Sequence, residues 1–302
     1  MGQAANQARS ERARRSLEGL SVGDAFGERF FCDAADVSAA GRRVPRANPP
    51  WVVTDDTVMA LSIVEVLETH GQIEQDPLAT AFARRYAEDP GRGYGAGAHR
   101  LLTEIGEGRP WRTVARSLFG GRGSWGNGGA MRAAPLGAWW ADDLDRAAED
   151  AARSAEVTHA HSEGQAGAVA VAVAAALAAG RAGQPWFEDA AAFIRQVADR
   201  TPPGATGNGL LAAADLPPAC SVELAVSALG NGSRISAPDT VPLCVWAAAW
   251  FGASFEDALW KTVSALGDRD TTCAIVGGIV GAHTGPAAIP AAWRAAREPL
   301  PW

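Results

Sequence analysis

Thr54-Asp55-Asp56-Thr57 brings two carboxylates and two hydroxyls to the head of an apolar periodic run, Val58 to Leu67. The spacing predicts Thr54 as a helix N-cap, with Asp55 and Asp56 in the first turn. Alone, that pattern does no more than stabilise a helix dipole. The chain repeats it at Gly267-Asp268-Arg269-Asp270-Thr271-Thr272, again ahead of an apolar helix. If the two starts converge, four carboxylates share one site. Charges at that density repel unless cations sit among them. The donors are hard oxygens, with no Cys or His in either motif, which favours Mg²⁺, Mn²⁺ or Ca²⁺ over Zn²⁺. The expectation is a dinuclear, oxygen-liganded metal site; its alternative is two capped helices whose starts never meet.

Three further constellations carry chemistry. The first is Gly123-Ser124-Trp125-Gly126-Asn127-Gly128-Gly129, which precedes a helix. Free backbone N–H groups there would cradle a pyrophosphate, or the stretch is only a turn. It is neither a Walker loop nor a GxGxxG motif after a strand. The second is Thr158-His159-Ala160-His161, at the end of one helix and ahead of an expected cap at Ser162. Positions i and i+2 do not share a helix face, so a two-histidine metal site is not expected. A histidine donating to a phosphate is one reading, and an exposed or capping histidine is the other. The third is Asp24 with Glu28. Asp24 would orient a turn or support a ligand from behind. Glu28 would be a general acid or base, or a solvated loop charge.

These residues need rigid elements to hold them. The chain has 302 residues and 47% hydrophobic content, enough for a sizeable core. Ala and Gly are abundant and Tyr scarce, which favours closely packed helices. The net charge of −7 excludes an obvious nucleic-acid binder, and no basic patch interrupts it. Four cysteines, Cys32, Cys220, Cys244 and Cys273, are widely spaced and form no CxxC pair. They are expected to be reduced thiols of a cytoplasmic protein without a signal peptide. The apolar run Ala166 to Ala179 is too short and Ala-rich to span a bilayer, so no membrane partner is expected.

Periodicity predicts helices over 11–27, 57–70, 77–88, 111–119, 131–141, 144–157, 162–179, 186–198, 222–229, 240–251, 255–266 and 271–283, with a short one around 101–105. Ser10 is the expected cap of the first. Residues 28–53 read as a loop, and strand signals are weak, with Trp51-Val52-Val53 the best short candidate. Gly19, Gly23 and Gly27 would let another helix or a ligand approach the backbone. No linker divides the chain. The expectation is an all-α fold, one compact multi-helix domain over residues 1–302.

With these motifs in order, the chain closely resembles the ADP-ribosylglycohydrolase family, which includes the dinitrogenase-reductase-activating glycohydrolases. The matching stretches are GLSVGDAFG (19–27), TDDT (54–57), GSWGNGGAMRAAPLG (123–137), THAHSEGQAGA (158–168) and GDRDTTCAIVGGIVGAHTG (267–285). DTVPLCVWAA (239–248) also resembles the stretch before the family's last metal motif. The resemblance implies an all-α hydrolase with two Mg²⁺ ions, or Mn²⁺ in some members. It implies that Thr54, Asp55 and Asp56 form one half of the metal shell, and Asp268, Asp270 and Thr271 the other. ADP-ribose would lie along Phe119, Gly123, Ser124, Trp125, Gly126 and Asn127, with His159 near the phosphates. Phe119 or Trp125 would stack on the base or border the ribose.

The chain departs from the family pattern at two positions. Several members carry a glutamate four residues after the last glycine of the GDAxG motif, where it touches a metal and the attacking water; here that position is Phe31. Either Glu28, three residues earlier, takes the role, or the Asp55/Asp56 pair does the work. Arg269 replaces the small residue usual between the two late aspartates. The expected activity is hydrolysis of an ADP-ribosyl glycosidic bond in a modified protein, nucleic acid or small molecule. The alternative is a catalytically weak ADP-ribose-binding protein on the same fold. An isoprenoid synthase is disfavoured, because no further Asp follows Asp56 at DDxxD spacing.

Overall fold

The polar opening of the chain does not delay its first helix. In the computed structural model, which describes residues 2–31, 50–218 and 220–301, α1 runs from Gly2 to Glu28. Ser10, expected as its cap, lies inside it and donates to Glu68 instead. Glu28, expected on a loop, is the last residue of the helix. Most of the loop expected over 28–53 lies outside the described residues, with Cys32, Pro45 and Pro49.

The early helices are α2 (Asp55–His70), α3 (Gln75–Glu88), α4 (Ala96–Gly106), α5 (Trp111–Gly121), α6 (Ala134–Trp139) and α7 (Leu144–Glu156). They continue as α8 (Ser162–Gly180), α9 (Ala190–Ala198), α10 (Ala205–Ala214), α11 (Val222–Leu229) and α12 (Ala237–Phe251). The chain ends with α13 (Phe255–Ser264), α14 (Arg269–Thr284) and α15 (Ala291–Ala296). The described residues contain no strands. Trp51 forms only an isolated bridge to Arg297, and Gly126 one to Ser236. One continuous hydrophobic cluster, from Ala13 to Trp293, packs the helices as a single all-α domain.

Two packings position the site. The glycines of α1 face α14, and a Cβ at Gly19, Gly23 or Gly27 would run into the carbonyls of Gly277, Cys273 or Arg269. This close approach brings the end of α1 beside the start of α14. The second packing is around α8. Its 19 residues are long and apolar enough to cross a membrane, more than the Ala166–Ala179 run suggests, yet 78% of its apolar window is buried among other helices. It is the central core helix, packed by α6, α7, α12 and α14.

Several helix ends differ from the sequence expectation. His161, not Ser162, is the cap of α8, accepting from Glu163 N through Nδ1. Asp189 caps α9, so that helix starts later than Trp186. Sequence periodicity missed α10 because its cap comes from a distant residue. The Glu163 carboxylate accepts from Ala205 N and Thr206 N, at 2.6 and 2.9 Å.

Candidate active site

The two acidic helix starts meet. Thr54 is the N-cap of α2, its Oγ1 accepting from Asp56 N at 3.3 Å. Behind this cap stands Asp24, fully buried on α1. Its carboxylate accepts from Thr54 N and Thr54 Oγ1, both at 2.9 Å, and from Thr57 Oγ1 at 2.5 Å. Asp24 thus supports the junction from behind and locks the start of α2 onto α1. From the other side, Thr271 Oγ1 on α14 donates to Asp56 Oδ2 at 3.4 Å. Asp268, the N-cap of α14, makes no capping bond; its carboxylate accepts from Asn127 Nδ2 at 2.6 Å. One contact therefore joins both acidic motifs, and another joins the second motif to the glycine-rich loop.

The electrostatics of this cluster are unfavourable for anions alone. Burial, then the charges of Asp24 and Asp270, pushes the Asp55 carboxyl up to about 8. Burial also raises Asp24 and Asp268 to about 7, with Asp270 adding to each. Asp56 is raised well above the usual range by burial first and Asp270 second. Its Oδ1 is buried with no hydrogen-bond partner in the structure. A buried carboxylate oxygen left unpaired is costly. Hard oxygens gathered at this density suit divalent cations, which would satisfy that oxygen and favour ionisation. The side chains are gathered without being closed into a cage: among the described residues, no three Asp, Glu, His or Cys side chains stand at ligand spacing.

A cleft of about 450 Å³ leads away from the cluster. Asp55, Asp268, Asp270 and Thr271 line one part of it, and Ser124 to Gly128, His159 and Arg132 another. Phe119, Trp125 and Ile235 also line it and are more than half exposed, at 56%, 55% and 65%. Phe119 has a left-handed backbone, φ 51 and ψ 45, which breaks the end of α5. That conformation is uncommon outside glycine and costs conformational energy.

The glycine-rich stretch folds as a turn around His159. Gly126 N is already taken by Ser124 Oγ at 3.1 Å. Asn127–Gly129 form a short 3₁₀ turn, whose first N–H groups have no partner within the turn. A Cβ on Gly126 or Gly128 would lie 3.3 or 3.2 Å from His159 Nε2. Glycine is needed here because the imidazole packs against the loop. Burial, and then Arg132, lowers His159 to about 3, so its ring is neutral at neutral pH.

Not every expected residue faces the cleft. Thr54 and Asp56 are buried beside Asp55 and do not line it, and Gly123 lines a small adjoining recess with Phe119, Arg122, Trp125 and His161. Glu28 is also absent from the lining. Its carboxyl is raised by burial and then by Asp270, which sets it on the Asp270 side. The two departures from the family pattern touch each other. The Arg269 guanidinium lies 5.2 Å from the centre of the Phe31 ring and donates to Phe30 O. Sequence reading gave no role to Arg132, Thr158 or Ile235, all of which line the cleft. A lone arginine within the apolar stretch Ala130 to Leu136 was the one available signal, since buried cations are rare without a purpose.

The family model described as ADP-ribosylglycohydrolase matches residues 5–301. The human protein named ADP-ribosylhydrolase ARH3 is 31% identical, over 95% of this chain and 89% of its own length. An uncharacterized protein of Archaeoglobus fulgidus is 28% identical, over 94% and 90%. A solved structure titled ADP-ribosylglycohydrolase-related protein complex superposes with a TM-score of 0.57 at 25% identity, covering 97% of this chain and 94% of that one. The chain belongs to the ADP-ribosylglycohydrolase family of glycosyl hydrolases.

Proposed function

We propose that this protein hydrolyses an ADP-ribosyl glycosidic bond with the help of two divalent cations, Mg²⁺ or alternatively Mn²⁺. The observation that carries the reading is the buried meeting of two acidic helix starts, with Asp56 Oδ1 unpartnered, beside a cleft that continues to the glycine-rich loop. Thr54, Asp55 and Asp56 would hold the cations from one side, and Asp268, Asp270 and Thr271 from the other. Bound there, the ions would polarise ribose hydroxyls and water and lower that water's pKa.

The rest falls to the chain's own groups. Asp56 or Asp55 accepts the proton of the attacking water. The remaining carboxylates stabilise the positive charge that develops on the ribose ring in an oxocarbenium-like transition state. The turn from Gly123 to Asn127 holds the diphosphate, with His159 Nε2 facing the same loop. Phe119 and Trp125 offer exposed rings to the adenine or its ribose. Asp55 lines the cleft and Glu28 does not, which favours the aspartate pair as the base.

Phe31 in place of a glutamate supports the second reading, an ADP-ribose-binding protein with weak turnover. One experiment separates the two: ADP-ribosylated protein, nucleic acid and small-molecule substrates are incubated with Mg²⁺ or Mn²⁺, and free ADP-ribose is followed. Release from at least one substrate supports hydrolysis. Tight ADP-ribose binding without release from any supports the alternative.

A further inference from the structure

Arg132 is one of the largest fully buried side chains, 1% exposed, yet it has no carboxylate partner within ion-pair distance among the described residues. A buried cation without a salt bridge is expensive. Its contacts are few: Nη2 donates to Thr158 Oγ1 at 2.8 Å and to Ser154 O at 3.3 Å, and Nη1 approaches Met59 Sδ at 3.5 Å. The guanidinium also covers the Phe82 ring at 4.4 Å. The shortest of these contacts leads to the cleft. Thr158 Oγ1 lies 2.6 Å from His159 Nδ1, and His159 lines the cleft.

The direction of these hydrogen bonds follows from which groups can donate. Arginine has no acceptor, so Thr158 Oγ1 must accept from it. The single Thr158 hydrogen then goes either to His159 Nδ1 at 2.6 Å or to Ala155 O at 3.4 Å. The 2.6 Å contact is made in either tautomer, so the neighbouring cation decides its direction. Held against a cation, the hydroxyl is a polarised donor and a poor second acceptor. Nδ1 therefore accepts, and the ring proton sits on Nε2, the nitrogen that faces Gly126 and Gly128.

We propose that Arg132 is a positioning residue which, through Thr158, fixes His159 as the Nε2–H tautomer. A neutral donor thereby points permanently at the glycine-rich turn, where the reading above seats an anionic diphosphate. The opposite tautomer would aim a lone pair at that anion. The inference rests on that reading only for the identity of the ligand; the tautomer itself is a property of the free protein.

The test is long-range ¹H–¹⁵N correlation NMR of the labelled full-length protein. The chain has five histidines, so the spectrum of His159→Gln assigns the ring. The parent should show a protonated Nε2 and bare Nδ1. Thr158→Val should shift His159 toward a tautomer mixture and weaken calorimetric ADP-ribose affinity about 10-fold, the scale of one hydrogen bond to a charged group. Thr158→Ser should restore both. Arg132→Met should shift the tautomer in the same direction as Thr158→Val, and if it fails to fold, the Thr158 pair carries the test. A protonated Nδ1 in the parent, or a tautomer unmoved in Thr158→Val, overturns the proposal. If the tautomer moves as expected while neither Thr158→Val nor His159→Gln alters ADP-ribose affinity, the relay stands and the diphosphate reading falls.

Discussion

Asp56 concentrates the chemistry at the residue scale. It is buried, accepts from Thr271 through one oxygen, and leaves the other without a partner. If Asp56 is the base, Asp56→Asn should lower kcat by about 10²–10⁴-fold, as loss of a general base does. Glu28→Gln should change it little, because Glu28 ends α1 and lies outside both acidic helix starts. Steady-state kinetics of the two variants at saturating metal decide between them. A severe Glu28→Gln defect with metal still bound would reassign the base. In the glycine-rich turn, Gly126→Val should weaken ADP-ribose binding, since its branches would crowd the Ser124 hydroxyl and the His159 ring. Calorimetry showing parental affinity would reduce that turn to a structural role.

Helix packing explains why these residues meet. The stripe Gly19, Gly23 and Gly27 lets α14 lie against α1, so a side chain there has no room. Gly23→Val should cost more than the ~1–3 kcal/mol of ordinary overpacking, because it meets backbone. Gly106→Ala, at the end of α4 with open space around it, should be neutral or stabilise by about 0.5–1 kcal/mol. Urea unfolding of both variants measures the contrast. The acidic helix starts and the glycine stripe were legible in the sequence because capping and close approach use local, type-specific residues. What remained hidden was non-local. Glu163 caps α10 from 42 positions away. The partners of Asp24, though not its supporting character, required knowing that α1 ends beside α2, and Arg132 reaches His159 only through a fold-dependent contact with Thr158. The glycine-rich segment revealed its turn character but not that Ser124 occupies one of its N–H groups.

At the scale of the whole molecule, the carboxylate cluster ties stability to protons and, on the proposed reading, to cations. Asp24, Asp55 and Asp268 have folded values of about 7, 8 and 7, against an ordinary value near 3.8. In the metal-free protein the folded state therefore keeps protons that the unfolded chain has released. Their contribution is most favourable below about pH 4 and is lost as pH rises toward about 8. Thermal unfolding in EDTA should show a Tm that falls over this range, and millimolar Mg²⁺ should recover most of the loss at pH 8. A Tm indifferent to Mg²⁺ at pH 8 would separate the cluster from cation binding. The most direct test of the central claim is release of free ADP-ribose by the EDTA-treated protein before and after Mg²⁺ or Mn²⁺ is restored, across the substrate panel. The account predicts release from at least one substrate that stops on chelation and returns with metal. Release undiminished by complete metal removal, or none from any substrate with metal present, would contradict it.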